Sequence, residues 1–423
     1  MNKNIAIISP PIPGHLFNHC ALGYELVKVG HKVTVYSIAD NKEFVEQTGV
    51  SFYTIAEKEF PRGCWQEKWK PAMQSGSFQG DKHVLKQHKK LAHIMLEELS
   101  ELFKVNNINF LIVDQSLPQG AALAQKNNIP YVTVCTLLSM HEDKSGVIPP
   151  IWTERTPANN VLQRVSNKFL SRLTNLFLSD FVKTTNKWCL KHNLQTYKTI
   201  ENSYSKLLQI GVIPSFLDFP GRELPGHYKS VGPLLSNRED HDFPFYKLDG
   251  RPVIYVSMGT IRTRFMNLWN IILNALKPFN QYQVVLSTGT WTGSDIKLEV
   301  PKELNSPIIV PFAPQLKILS KAALCITHGG PGSILECLKF KVPMVAIPLG
   351  DDQPAMAARI RYHKIGTTLK LKGLNANKME KAISVTLKSE ELKGNIQMFS
   401  NKMSQYGGAK AAADMVGGVL IGE

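Results

Sequence analysis

Residues 312–353 read FAPQLKILSKAALCITHGGPGSILECLKFKVPMVAIPLGDDQ, and the reading of this stretch decides the fold. ALCIT is a short apolar run suited to a buried strand. Pro331 then opens a helix that carries Ser333 and Glu336. Proline suits that position because its missing N–H would have no intrahelical partner anyway. The turn between strand and helix, HGGPG, lets a ligand approach the backbone, where the free N–H groups of the first helical turn face it. The pattern predicts a phosphate cradle, with His328 beside it as a cation or a hydrogen-bonding group. Glu336, three residues beyond Ser333, is spaced to reach a ribose.

The same strand–turn–helix rhythm extends in both directions. IAIISP reads as a buried strand and PPIPGH as a loop, followed by a helix from His15 to Val29 that Gly30 terminates. HKVTVYSI, NFLIVD (ending at Asp114) and IPYVTV are further strands. The region from Met140 to Gln209 reads as helical and irregular, with a basic amphipathic stretch near Lys168–Lys187. Ser236–Pro252 is polar and proline-bearing, as a linker should be. VIYVSMGT then restarts the rhythm, and QVVLSTG, PIIVPF, ALCITH and MVAIPL continue it. Alternation of this kind predicts an α/β protein with parallel sheets, in two Rossmann-like halves facing across a cleft. The expected boundaries are 1–235 for an acceptor-side domain, 236–250 for the linker and 251–405 for the ligand-cradling domain. Residues 406–423 are expected to form a helix that packs back on the first domain.

Bulk composition narrows the class. The 423 residues are enough for two or three domains with sizeable cores, and 43% hydrophobic with 20% charged is ordinary for a globular protein. The N-terminal apolar run is short and proline-broken, unlike a signal peptide, and no stretch approaches the roughly 20 residues that span a bilayer. The six scattered cysteines form no CxxC pair, which argues against a disulfide framework or zinc site and for a reducing cytoplasm. The net charge of +15 fits an anionic small ligand, an anionic membrane surface or simply a solvated basic surface. No nucleic-acid-binding motif accompanies it.

Ligands of such sheets bind outside the carboxyl ends of the strands. His15, Asp114, Ser257, His328 and Asp352 all lie just past strands, so all five are expected at one cleft. His15 is a candidate general base with Asp114 fixing its tautomer; the alternative is a loop histidine and a strand-end cap. His19 is a rival base on spacing, or a packed side chain. Phe312 is a flat ring suited to stacking on a base, or a core aromatic. Gln315 is placed to hydrogen-bond a base or ribose, or is an exposed glutamine. Gly259 and Thr260 close a loop whose backbone donors suit a phosphate, or form a plain turn. Asp352 and Gln353 precede Pro354 at a helix start, where an aspartate often caps, or they bind sugar hydroxyls.

Two motifs mislead. Asp240–His241–Asp242 fits a DxD metal-sugar pattern but lies in the linker. Gly330–Pro331–Gly332 opens like GxGxxG, but Leu335 occupies the third glycine position, which argues against a nicotinamide or flavin site.

FAPQ, HGGPGS, Glu336 and DQP together resemble the donor signature of family 1 UDP-glycosyltransferases, enzymes of the GT-B fold. Gly14–His15 and Asp114 match that family's catalytic histidine and its aspartate partner. PPIPGH, LIVDQSLPQGAALA, PSFLDFPGRELPGHYKSVGPL and DQPAMAARIRYHKIG resemble the bacterial zeaxanthin glucosyltransferases within it. The likeness covers essentially the whole chain. It implies His15 as base with Asp114 orienting it, and Phe312 in place of the tryptophan that stacks on uracil in many relatives. It further implies Gln315 at the uridine and His328, Gly330, Gly332 and Ser333 on the pyrophosphate, with Ser257, Gly259 and Thr260 opposite. Glu336 would hold the ribose, and Asp352 and Gln353 the transferred sugar. Two positions depart from the pattern: asparagine replaces Gly332 in plant members, and Asp351 adds a carboxylate before the DQ pair. The expected reaction is inverting transfer of a sugar, glucose foremost, from a UDP-sugar to a hydroxyl of an apolar small molecule such as a carotenoid or other terpenoid. It needs no metal and no cofactor beyond the co-substrate. The competing expectations are a polyketide, macrolide or phenolic acceptor, and a donor-binding protein without transfer activity. The expected location is cytoplasmic, with peripheral contact at the inner membrane face.

Overall fold

A computed structural model describes residues 2–65, 67–68, 78–235, 243–260, 265–289 and 296–422. The DxD pattern at 240–242 and the first residues of the linker, 236–242, lie outside them.

Two parallel sheets organise the chain. The first uses β1 (Asn4–Ile8), β2 (Lys32–Ser37), β3 (Ser51–Thr54), β4 (Phe110–Asp114), β5 (Tyr131–Cys135), β6 (Gln209–Gly211) and β7 (Tyr228–Ser230). The second uses β8 (Val253–Ser257), β9 (Gln283–Ser287), β10 (Ile308–Val310), β11 (Ala322–Thr327), β12 (Met344–Ala346) and β13 (Thr367–Thr368). Their spatial orders are β3-β2-β1-β4-β5-β6-β7 and β10-β9-β8-β11-β12-β13. All pairs are parallel, and the central strands are buried on both faces, which is why they read as unbroken apolar runs.

The helices cover both sheets. In the first half they are α1 (Pro13–Lys28), α2 (Lys42–Glu46), α3 (Phe78–Val105), α4 (Pro118–Asn127) and α5 (Val161–Lys191). In the second they are α6 (Met266–Ala275), α7 (Gln315–Leu319), α8 (Pro331–Lys339), α9 (Gln353–His363), α10 (Ala376–Lys388) and α11 (Glu390–Met403). The last, α12 (Gly408–Ile421), packs against α1 and so returns to the first half. There Gly408 N donates to Val231 O at 2.8 Å, and Ala412, Ala413 and Val416 are buried.

The topology positions the site. Each sheet has a switch point where the direction of strand addition reverses, between β1 and β4 in one and between β8 and β11 in the other. Helices leave neighbouring strands in opposite directions there and open a crevice at the strand carboxyl ends. His15 follows β1, Asp114 ends β4, Ser257 ends β8 and His328 follows β11. Thr327 is paired with Ser257, so the turns after β8 and β11 are adjacent in register. The structure differs from the reading of PPIPGH as loop: α1 starts at Pro13, so His15 sits in its first turn. β3, β6, β7 and β13 had no sequence signal, being two to four residues long and at or near sheet edges.

Candidate active site

A cavity of about 790 Å³ opens between the two sheets. It is lined by His15 and by all twelve residues expected at the donor side: Ser257, Gly259, Thr260, Phe312, Gln315, His328, Gly330, Gly332, Ser333, Glu336, Asp352 and Gln353. Asp114 is buried directly behind His15.

His15 Nδ1 lies 2.9 Å from Asp114 Oδ2. The Thr136 hydroxyl touches both, 2.8 Å from His15 Nδ1 and donating to Asp114 Oδ2 at 2.8 Å. Ser116 occupies the other carboxylate oxygen, donating from its backbone N at 2.9 Å and from Oγ at 2.6 Å. With acceptors at Nδ1, the proton resides there and Nε2 carries the lone pair. Burial opposes charge on His15, but the Asp114 carboxylate, its hydrogen bond and the more distant Asp352 and Asp351 outweigh it and raise the pKa above the usual 6.5. Burial opposes the charge on Asp114 too, yet His15, their hydrogen bond, His19 and Ser116 hold it well below the normal carboxylate range. This is the arrangement of a general base with an orienting carboxylate.

His19 is fully buried, does not line the cavity and bonds through Nδ1 to His15 O at 3.0 Å. Burial pulls its pKa down, so it is a neutral packed residue against the back of Asp114. Thr136, Ser116 and a third cavity histidine, His88, escaped the sequence reading. Ser116 follows Asp114 by two residues, whereas Thr136 and His88 come from segments of their own, and nothing local marks those two as reaching the cavity beside His15.

The second half supplies the polar wall. The first helical hydrogen bond of α8 runs from Ile334 N to Gly330 O, so the amides of Gly332 and Ser333 precede it at the positive end of the helix. Gly332 has open space where a Cβ would stand. Gly330 and Gly259 have a different task. A Cβ on Gly330 would sit 2.4 Å from His328 Nε2, and one on Gly259, at φ +76°, would sit 2.8 Å from it. Those two glycines make room for the imidazole. Burial pushes His328 down to about 4, opposed by a hydrogen bond to the Ser257 backbone and by Asp351. In this state the ring is neutral, so of the two expected roles for His328 it is the hydrogen-bonding one that the structure supports.

Glu336 is buried and accepts a hydrogen bond from Gln315 Nε2, while Gln315 Oε1 accepts from Tyr255 OH at 3.1 Å. Gln315 therefore joins the carboxylate to the sheet. Phe312 is half-buried, and its ring stands 6.4 Å from that of Phe17 across the interface, tilted by 31°. Asp352 does not cap α9: the helix start has no side-chain cap, and Gln353 Oε1 instead accepts from Leu349 N at 2.7 Å and Gly350 N at 3.2 Å. Asp352 Oδ2 is buried with no hydrogen-bond partner. Burial and then the neighbouring Asp351 push this carboxyl up to about 7, against His15 and Arg359. A buried, unpaired carboxyl beside the cradle suits a hydroxylated ligand.

The first half supplies a largely apolar wall that includes Met140, Trp152, Leu170, Leu173 and Phe177. Within that wall Gln119 and Trp152 each have a buried polar atom, Oε1 and Nε1, that has no partner. Among the described residues no cluster of His, Cys, Asp and Glu has a geometry that would hold a metal ion.

Comparison with known proteins identifies the fold and the family. The chain is 24% identical over 426 residues to a zeaxanthin glucosyltransferase of Pantoea ananas, covering 99% of this chain and 96% of that one. It is 26% identical to the NDP-glycosyltransferase YjiC of Bacillus licheniformis, over 98% and 97% of the two chains. Among solved structures, the glycotransferase of kitacinnamycin superposes with a TM-score of 0.71 at 20% identity, covering 98% of this chain and 99% of that one. A spinosyn rhamnosyltransferase complexed with thymidine diphosphate superposes with a TM-score of 0.68 at 15% identity, covering 99% and 100%. These neighbours share the GT-B fold. Residues 21–404 match the UDP-glucoronosyl and UDP-glucosyl transferase family, and the chain therefore belongs to that family of glycosyltransferases.

Proposed function

We propose that this enzyme transfers glucose from UDP-glucose, with inversion, to a hydroxyl of an apolar small molecule of the carotenoid or wider terpenoid class. One observation carries the reading: His15 stands in a single cavity between a largely apolar wall and the glycine-lined N-terminus of α8. The zeaxanthin glucosyltransferase relatives support the acceptor class.

In the proposed reaction His15 Nε2 removes the proton from the acceptor hydroxyl as that oxygen attacks the anomeric carbon. The bond from that carbon to the β-phosphate oxygen breaks on the opposite face, and its electron pair leaves with UDP. Asp114 and Thr136 hold the ring and stabilise the imidazolium. Phe312 stacks on uracil, Gln315 contacts the uridine and Glu336 binds the ribose. Ser257, Gly259, Thr260, His328, Gly330, Gly332 and Ser333 surround the pyrophosphate, and Asp352 and Gln353 hold the sugar. Only the Nε2 amide of Gln353 serves there, because its oxygen is bound to the backbone. The amides at the N-terminus of α8 meet the charge of departing UDP, so the mechanism we propose uses no metal. The six free, buried cysteines fit a reducing cytoplasm.

The test is a donor-by-acceptor screen read by mass spectrometry, with dihydroxy carotenoids, sterols, macrolides and flavonoids, run beside His15→Ala. Transfer to a carotenoid or related terpenoid from UDP-glucose, reduced on the order of 10²-fold or more in His15→Ala with donor affinity retained, is expected. Exclusive transfer to phenolic or macrolide acceptors would replace the acceptor class. Near-full activity in His15→Ala would remove His15 as base.

A further inference from the structure

The helix α5 forms one side of the apolar wall, yet its outer face is bare. Leu162, Phe169 and Leu176 are 82%, 60% and 67% exposed, and Val161, Val165 and Leu173 are exposed beside them. At 100° per residue these six fall within one arc of about 120°. The opposite face, with Asn167, Leu178, Val182 and Thr185, is buried against the first half. Scattered exposed apolar residues need no explanation, but a continuous stripe over four helical turns marks a contact surface.

Charge says what the surface contacts. Arg164 and Lys168 border the stripe, Arg172 falls just inside its edge, all three are exposed, and no acidic residue occurs from Val161 to Ser179. Lys183 and Lys187 continue the exposed basic face beyond them. A second copy of the chain docking through this face would set like charges against each other. An anionic bilayer satisfies both features, taking the apolar side chains among its acyl chains and the basic ones among its headgroups. Among the described residues no helix is long and apolar enough to cross a membrane, so the contact is one that lies on the surface.

The stripe also meets the cavity. Leu173 and Phe177 are both exposed on α5 and part of the cavity lining, while Leu170 and Phe181 continue the wall inward. We propose that α5 docks this enzyme on anionic phospholipid surfaces, with the apolar half of the cavity opening beside the bilayer so that a membrane-dissolved acceptor enters without crossing water. The docking follows from α5 alone; the entry route rests on the apolar-acceptor reading above.

The experiment is flotation of the purified protein with vesicles of phosphatidylglycerol and phosphatidylcholine, against phosphatidylcholine alone, in the absence of sugar donor. The wild type is expected to bind the anionic vesicles, less so at high salt. A Leu162→Ser/Phe169→Ser/Leu176→Ser variant and an Arg164→Gln/Lys168→Gln/Arg172→Gln variant should each lose binding. The charge variant is expected to lose about 100-fold, at about fivefold per basic residue near an anionic surface. None of these six residues lines the cavity, so both variants should keep wild-type transfer to a water-soluble acceptor. Absence of wild-type binding overturns the docking, as does binding that both variants retain. Equal binding to neutral vesicles overturns the charge argument, and concentration-dependent dimers abolished by the serine variant would assign the stripe to self-association. Docking without carotenoid or terpenoid transfer would overturn the entry route and the acceptor reading while leaving the surface intact.

Discussion

At the scale of single residues, the chemistry turns on two carboxyls driven in opposite directions. Asp114 is held ionised by His15 and by the Ser116 donors, and it raises the pKa of His15 in return. The proposed base works only when deprotonated, so the acid limb of kcat/KM should lie above the ordinary imidazole value of 6.5. Asp114→Asn removes the main charge that lifts the pKa. The limb should then move to lower pH while the plateau falls by 10² to 10⁴-fold, on the order seen when a triad carboxylate becomes an amide. A pH–rate profile of the two proteins checks this, and an unmoved limb would detach Asp114 from His15. Asp352 has the reverse problem, with burial pushing it up to about 7 from 3.8. Its folded pKa is raised, so the ligand-free protein holds this proton when the unfolded chain has lost it. Stability is therefore lost as pH rises from about 4 to about 7. Asp352→Asn should raise Tm by several degrees above pH 7 and hardly at all at pH 4, while weakening donor-sugar binding. Thermal melts across pH, with UDP-glucose titrations, report both.

At the scale of elements, the turn from β11 into α8 shows what a motif says and what it conceals. HGGPGS was legible as a glycine-lined helix start because a buried strand, proline at the first helical position and small residues are all local features. The division of labour among its glycines was not legible, because it depends on where the His328 ring lies in space. Gly332 faces open space, whereas Gly330 faces the imidazole. Gly330→Ala should displace His328, weaken UDP binding by tenfold or more and lower Tm. Gly332→Ala should leave Tm within about 1–2 °C, since alanine is the better helix former. Calorimetric UDP titration of both variants, with melting curves, separates the two tasks, and equal losses would refute the distinction. The Asp352–Gln353 pair teaches the same point. Its position before Pro354 suits an N-cap, but Gln353 turns back to the loop amides and leaves Asp352 uncapping and unpaired.

At the scale of the whole molecule, several contacts among the described residues join the halves across the cleft, two of them buried. The C-terminal helix α12 packs on α1, the helix that carries His15. Arg359 of α9 reaches from the donor half to Asp218 of the first half, and its guanidinium lies 4.2 Å over the Phe219 ring. Arg222 stands on the other side of Asp218 and donates to the backbone of Ser139 and His141. Since α9 begins at Gln353, this buried pair ties the helix that starts at the cavity to the first half. Arg359→Met should cost less than the ~3–5 kcal/mol of a fully stranded buried charge, because Arg222 stays beside Asp218, and Arg359→Met/Asp218→Asn should cost less than the sum of the single losses. Denaturant melts of the double-mutant cycle measure the coupling; additive losses would show that the pair does not act as a clamp.

The sequence by itself determined the α/β class and singled out twelve residues of the second half that the fold brings to one cavity. Those follow from apolar runs, turn residues and helix starts, whose physics acts over a few neighbouring positions. Tertiary structure alone decided that Thr136 serves the His15–Asp114 pair, that His19 is packed away and that burial pushes the His328 pKa down. It also decided that α5 turns one face to the cavity and another to solvent. Each of these depends on burial and on partners brought from distant segments, as Thr136 is brought to His15 across 121 positions. Residues that far apart meet only when β1, β4 and β5 are laid side by side, and no local pattern records the meeting.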